Sequence, residues 1–258
     1  VPVLINMLTD GSKIVSDAAE TALAGYREKS VTTVLTDKLY DGDEKLEGRI
    51  IDTLGTRNDP QSFDVIVRTL RKGSEACKVK AALALSKMGN TEACDSLIRI
   101  AERPDDFEPE LVKTACFSLG RLYCPRAIPA LIRISGSPDP DFRFAAVNSF
   151  KEMKNKAAFD ALVARLDDPA EYVRLETIEA LLTLKDPNLA EKLAPLIKSK
   201  NDRVAGGAAA VLSKLNTEQS HNAIKKLDEL KYRDQVIEKE KDSADQIDDA
   251  SKNIVPVY

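Results

Sequence analysis

Asp139-Pro140-Asp141-Phe142-Arg143 reads as a helix start. A carboxylate stands at the N-cap, proline occupies the first helical position, an acid lies in the first turn and an apolar residue follows. Thirty-one residues further on the same plan returns as Ala170-Glu171-Tyr172-Val173-Arg174. Working outward from Phe142, one apolar column runs Val15, Leu46, Cys77, Leu111, Phe142, Val173, Val204, in steps of 31, 31, 34, 31, 31 and 31. A second runs Leu4, Leu35, Ile66, Leu97, Leu131, Leu162, Leu193, Ile224. The second column leads the first by 11 residues in each repeat except the fourth, where the offset is 14. A three-residue insertion therefore falls within Arg103–Pro109.

Each column heads a helix. Four residues after the first column stand Ala19, Ile50, Ala81, Ala115, Ala146, Thr177 and Ala208, and eight after it Leu23, Leu54, Leu85, Leu119, Phe150, Leu181 and Leu212. Positions 0, +4, +8 and +11 share an arc of about 80° on a helical wheel, one buried face. The small residues at +4 allow close helix approach. Three residues before the column, Ser12, Asp43, Ser74, Asp139 and Asn201 are good N-caps, while Glu108 and Ala170 are not. Before the second column the cap positions hold Glu28, Asp59, Asn90, Cys124, Asn155, Asp186 and Thr217, with Cys124 the misfit. Each repeat is thus helix A, short loop, helix B, short loop.

One such pair cannot bury its apolar face alone, whereas stacked pairs can. The expected fold is all-α: a right-handed α-solenoid of stacked antiparallel helix pairs, about seven and a half repeats over residues 1–230, followed by a polar, acid-rich cap helix or tail over 231–258. The pattern resembles the HEAT-repeat family in its short form, a type also found in phycobilin lyases. The helix B starts around Phe142 and Val173 carry the resemblance most specifically. It implies an Asp before helix B and an Arg after its first apolar residue, stacked as a ladder. Arg143 and Arg174 alone keep that Arg, so the ladder is expected in repeats 5 and 6. The resemblance also implies that helix B lines the concave surface.

The 258 residues carry 38 Lys+Arg against 42 Asp+Glu, a formal charge of −4, with 43% hydrophobic residues, no Trp and one His. This is the composition of a folded chain without a global pull towards nucleic acid. The charge is uneven: residues 61–133 carry +3 between acidic ends. No apolar run approaches the length of a membrane span. The four cysteines lack CxxC spacing and read as small buried hydrophobes rather than zinc ligands or disulfides. A reducing cytosol is the default expectation, with a periplasmic or secreted location after signal removal as the alternative. The first helix A lacks room for its cap before Leu4, so residues upstream of Val1 are expected. The apolar end, Ile254-Val255-Pro256-Val257-Tyr258, is expected to pack back on the last repeat.

No catalytic constellation emerges. His221 stands three before Ile224 on the packing side of helix A and reads as structural. Gly206-Gly207 lies inside a helix B, where it permits close packing. Asp167-Asp168 and Asp139/Asp141 could pair around a cation, but cap and loop duty explains them. HEAT-like deoxyhypusine hydroxylases hold a di-iron centre through several His-Glu pairs, which one His cannot supply. HEAT-like alkylpurine DNA glycosylases rely on Trp and a basic concave face, whereas this chain has no Trp and is net acidic. No metal, cofactor or catalytic residue is therefore expected.

The functional lead is the helix B face opposite the buried one, positions +2, +6 and +9. In repeats 3 to 6 it presents Val79, Leu83, Phe117, Phe144 and Leu175, with Asn148, Lys151 and Glu179 among them; Ser86, Gly120 and Leu182 also stand at +9. Apolar residues on a nominally wet face point to a protein or peptide partner in the concave groove. The competing reading is that neighbouring B helices cover them. The expected protein is a non-enzymatic interaction scaffold, a monomer or a member of a hetero-complex. Two alternatives remain: a lyase-type enzyme or subunit related to phycobilin lyases, and weak anion or nucleic-acid binding through Arg68, Arg99 and Arg133, which share one helix A column. A solvated outer face is the plainer reading of that column.

Overall fold

A computed structural model describes residues 1–40, 43–184, 186–222, 224, 225 and 229. The described residues form helices joined by short turns, with no strand among them. In chain order the α-helices are α1 (Pro2–Met7), α2 (Lys13–Gly25), α3 (Lys29–Lys38), α4 (Glu44–Arg57), α5 (Phe63–Lys72), α6 (Glu75–Met88), α7 (Cys94–Glu102), α8 (Pro109–Arg121), α9 (Ile128–Ile134), α10 (Pro140–Met153), α11 (Phe159–Arg165), α12 (Glu171–Thr183), α13 (Leu189–Leu193) and α14 (Asp202–Leu215). Odd-numbered helices are helix A and even-numbered ones helix B of successive repeats. A 3-10 turn at Pro104–Asp106 takes up the three-residue insertion before α8.

The described residues fall into two compact units, divided after Leu184. In the first, six helix pairs stack as an α-solenoid, and α2, α4, α6, α8, α10 and α12 each pack against the next. In the second, α13 continues into a 3-10 turn at Ala194–Lys198, and both pack against α14.

The helix A column from Leu35 to Leu193 and the +4 and +8 positions of helix B lie in the core, whereas Val15, Leu46, Phe142 and Val204 of the first column are half-buried. Every residue named above at +4 and +8 is buried, Ala19 to Ala208 and Leu23 to Leu212. Between neighbouring B helices the backbones approach closely. A Cβ placed on Gly120 would lie 2.8 Å from the Cα of Ser149, and one on Gly55 2.8 Å from the Cα of Ala84. Buried hydroxyls bridge the same seam: Ser118 Oγ donates to the Ala82 carbonyl at 3.0 Å and Ser149 Oγ to the Cys116 carbonyl at 2.7 Å. Gly206 was expected to serve such a contact and does not, since a Cβ there would meet nothing within 4 Å.

Caps form where short polar side chains stand in register. Asp43, Ser74, Asp139 and Asn201 accept N–H bonds from the first turn of their B helices, whereas Ser12 accepts none. The A helices of repeats 3 to 6 open with a 3-10 turn, and Asp59, Asn90 and Asn155 each accept the N–H two residues on, at 2.9–3.0 Å. Two residues before helix B caps, Asp10, Ser137, Asp168 and Ser199 accept the cap residue's own N–H. Helix B ends in the left-handed region at Asn58, Gly89, Tyr123, Lys154 and Asn216, the usual way to satisfy the last carbonyls.

Buried Asp168 is the centre of the expected Arg ladder. Arg143 Nε and its terminal nitrogen each donate to one Asp168 oxygen at 2.7 Å, a bidentate pair. Arg143 also donates to the Ser137 and Pro138 carbonyls, and Arg174 to those of Asp168 and Pro169, tying each B helix to its preceding loop.

The four cysteines are not all the free buried hydrophobes that their spacing implies. Cys94 and Cys124 are joined by a disulfide, with Cα atoms 6.0 Å apart. Cys77 and Cys116 are buried free thiols, as expected. Spacing within one stretch of chain gave no signal because the partners lie at equivalent ends of consecutive A helices. His221 is also misplaced by the sequence reading: it is exposed, not packed. At the same register Thr32 and Cys94 face Asp59 and Cys124 of the following repeat, so such a position is covered by its successor. The tail over 231–258 and Ile254–Tyr258 lie outside the described residues.

Candidate protein-binding face

Helix B is flanked by other B helices as well as by helix A, so its buried arc is wider than a one-sided wheel suggests. Position +9 falls within that arc: Ser86 and Gly120 are buried, and Lys151 and Leu182 are half-buried. Position +9, expected on the open face, is closed by the close backbone approach at Gly120. The open arc consists of +2 and +6, with Gly48 buried under the Lys80 side chain as an exception, together with the position just before the column. That last position is exposed in all seven repeats, from Ile14 at 82% to Tyr172 at 43% and on to Arg203.

On this arc Leu83 is 38% and Leu175 57% exposed, while Val79, Phe117 and Phe144 are half-buried. The aromatic residues form a row across three helices. Phe117 of α8 meets Phe144 of α10 edge to face at 6.4 Å, and Phe144 meets Tyr172 of α12 at 5.6 Å. Such contacts contribute roughly 0.5–1.5 kcal/mol each beyond burial, which holds the rings in place instead of letting them splay. Tyr172 was missed by the sequence reading. Its signal was the i, i+3 spacing to Leu175, which puts both on one side of α12.

Polar side chains frame the row and are largely paired with one another across helices. Arg49 bonds Asp17 at 2.9 Å and Glu20 at 3.0 Å, and Lys80 pairs with Asp52. Lys113 pairs with Glu110 at 2.9 Å and lies 3.9 Å from Asp141, whose carboxylate accepts the Tyr172 hydroxyl at 2.9 Å. Asn148 and Lys151 both donate to Glu176, at 2.9 and 2.5 Å, and exposed Glu179 lies beyond. The Glu110 hydrogen bond, ahead of desolvation, governs the raised pKa of Lys113. Desolvation and then the bond to Asp141 push the Tyr172 hydroxyl up. The arrangement is a narrow apolar and aromatic strip bordered by internally compensated charge. It offers contact area rather than a reactive group.

The carboxylates weighed as cation ligands are engaged elsewhere. Asp168 is held by Arg143, by Arg165 and by the Ala170 N–H, Asp139 caps α10, and Asp141 serves Tyr172. Arg68, Arg99 and Arg133 are all exposed, but they do not gather into one basic site. Arg68 borders a 590 Å³ depression shared with Arg71 and Lys72 but also with Asp64, Glu92 and Asp95. Arg133 borders a separate 460 Å³ depression with Glu102, Asp105 and Asp139, and Arg99 lines neither. No described helix is long and apolar enough to cross a membrane.

Among solved structures, the complex of CpcE and CpcF of phycocyanin lyase from Nostoc sp. PCC7120 is similar in fold: TM-score 0.50, 17% identity, covering 89% of this chain and 94% of that one. An engineered protein aligns with TM-score 0.50 and 20% identity over 89% of this chain and 71% of its own. Human deoxyhypusine hydroxylase in complex with glycerol aligns at TM-score 0.34, with 16% identity over 82% of this chain and 94% of that one. No individual curated protein sequence matches the chain. The model of HEAT repeats matches residues 32–108, 102–182 and 159–238, so that the 31-residue columns, the stacked helix pairs and the Arg143–Asp168 rung all belong to a member of the HEAT-repeat family.

Proposed function

We propose that this chain is a non-enzymatic interaction scaffold that holds a protein or peptide segment along the helix B face of repeats 3 to 6, the concave groove of the family pattern. The observation that carries the reading is the set Leu83, Phe117, Phe144, Tyr172 and Leu175 on one arc of successive B helices, with the three rings in contact, apolar where a free helix face would be polar. Rigid aromatic rings with their charged neighbours already paired present area at little entropic cost. The partner chemistry that fits is an apolar or aromatic segment with few charges of its own, since the bordering ions have partners.

A photo-crosslinking residue placed at position 83 or 175 should capture a discrete partner in the source cells. The same residue at position 132, an exposed isoleucine on helix A, should not. Adding Leu83→Asp and Leu175→Asp should remove capture from a probe at position 79 and leave helix content unchanged, because both leucines are already exposed. Equal capture from position 132, or none from 83 and 175, would overturn the reading. A lyase-type role has the fold likeness to CpcE and CpcF behind it, which at 17% identity carries no chemistry. Anion binding through Arg68, Arg99 and Arg133 has exposed cations in its favour and nearby carboxylates against it.

A further inference from the structure

We infer that the Cys94–Cys124 disulfide is a structural staple of repeats 4 and 5, and that the protein therefore matures in an oxidising compartment. Four observations converge on it. First, the pair occupies a contact that the solenoid builds elsewhere with polar atoms. Cys94 stands three residues before Leu97 and Cys124 seven before Leu131; Thr32 and Asp59 hold the same places relative to Leu35 and Ile66, and Thr32 Oγ1 donates to Asp59 Oδ2 at 2.6 Å. Side chains at these two positions are thus brought together by the repeat itself, and a Cα separation of 6.0 Å suits a bridge.

Second, Cys124 replaces a cap. Asp59, Asn90 and Asn155 accept an N–H at the corresponding position, whereas Cys124 makes no side-chain cap bond. A local hydrogen bond has been given up where a covalent link stands. Third, the ring closed by the disulfide contains Arg103–Pro109, the insertion that breaks the 31-residue step. The link fixes the two A helices on either side of that irregular loop. Fourth, both cysteines are buried, 8% and 2% exposed, which shields the bond from exchange. The remaining thiols do not compete. Cys77 and Cys116 lie on helix B, and burial pushes the fully enclosed Cys116 thiol up to about 12, so it offers no thiolate.

Formation removes two protons and two electrons from the Cys94 and Cys124 thiols. The oxidant is a protein disulfide of the thiol-oxidoreductase class. Its S–S bond is attacked by one thiolate to give a mixed disulfide, the second thiolate displaces it, and the oxidoreductase leaves as a dithiol. A buried link of this kind persists where thiols are not kept reduced, outside a mesophilic cytosol.

The chain purified without reductant, unfolded and alkylated with N-ethylmaleimide should carry two adducts, at Cys77 and Cys116, and yield a linked Cys94–Cys124 peptide pair. Four adducts would overturn the assignment. The protein reduced in denaturant and refolded in dithiothreitol should melt about 5–15 °C below the oxidised protein, while the Cys94→Ser/Cys124→Ser variant should not respond to the reductant; equal Tm for the reduced and oxidised forms would overturn the structural role. Acid quenching and alkylation of the native protein in its source cells should trap mostly the oxidised form. A mostly reduced population would overturn the compartment.

Discussion

Cys94 of α7 faces Cys124 before α9 across one repeat junction, in the register in which Thr32 faces Asp59. The two pairs differ by the three-residue insertion alone, 30 residues of separation against 27. If the register rather than local accident places them, Thr32→Cys/Asp59→Cys should form a second disulfide on mild oxidation. Loss of two further alkylatable thiols in the unfolded protein measures it. Persistence of both thiols would show that the junctions are not equivalent. The linked variant forfeits the Asp59 bonds to Thr32 and to the Gln61 N–H, which together hold that carboxyl below its ordinary range, the Thr32 bond foremost.

Asp168 is buried against Arg143, with side-chain exposures of 0% and 7%. Removing the carboxylate strands a buried guanidinium, so Asp168→Ala should cost about 3–5 kcal/mol in urea unfolding. Arg143→Met, which removes the other charge, leaves Asp168 with Arg165 and should cost less. The pH dependence follows from the sign of the shift. Desolvation raises the Asp168 pKa, but the Arg143 hydrogen bonds and the Ala170 N–H outweigh it, and the net position is below the ordinary 3.8. A depressed carboxyl contributes stability that is complete above its unfolded value and is lost as pH falls through the lower folded value. Wild-type stability should therefore drop below about pH 4, and Asp168→Asn should flatten that drop.

The repeat, its period, the insertion and the buried columns were all legible in the sequence, because stacking forces the same apolar register on every copy. Cys94–Cys124 was not, although the information was present. The pairing is visible only when position −3 of one A helix is compared with position −7 of the next, as at Thr32 and Asp59. The site was legible in part. Phe117, Phe144, Leu83 and Leu175 stand on the open arc, but a wheel drawn for one buried face does not see the neighbouring B helices. It left +9 open and overlooked Tyr172. Gly120 marks that error physically, since there is no room for a Cβ beside Ser149.

That seam gives a paired prediction. Gly120→Ala would gain roughly 1 kcal/mol of intrinsic helix propensity, yet it drives a methyl to 2.8 Å from backbone that cannot rotate away. Overpacking costs about 1–3 kcal/mol, so the variant should be destabilised on balance. Gly206→Ala, in α14, meets open space and should stabilise by about 0.5–1 kcal/mol. Chemical denaturation of the two variants side by side checks both. Stabilisation at both positions would mean that the B helices separate more readily than their serine bridges imply.

Lys154 closes α10 at φ 51°, where Gly89 closes α6 at φ 67° and Asn58 closes α4 at φ 53°. The steps from Asn58 to Gly89 and from Tyr123 to Lys154 are 31 residues, so one structural duty is assigned to residues of unequal fitness. Asparagine and glycine tolerate the left-handed region, whereas a lysine Cβ is crowded there by about 1–2 kcal/mol. Lys154 is exposed, and its N–H already closes the helix on the Phe150 carbonyl, a bond the backbone keeps in any variant. Lys154→Gly relieves the crowding but loosens the unfolded chain, which offsets part of the gain. A net stabilisation of about 0.5–1 kcal/mol is expected, and Lys154→Asn should recover a smaller share. Thermal unfolding of the three proteins in one buffer decides it: a lower Tm for Lys154→Gly would show that the lysine side chain contributes more at this helix end than its backbone costs.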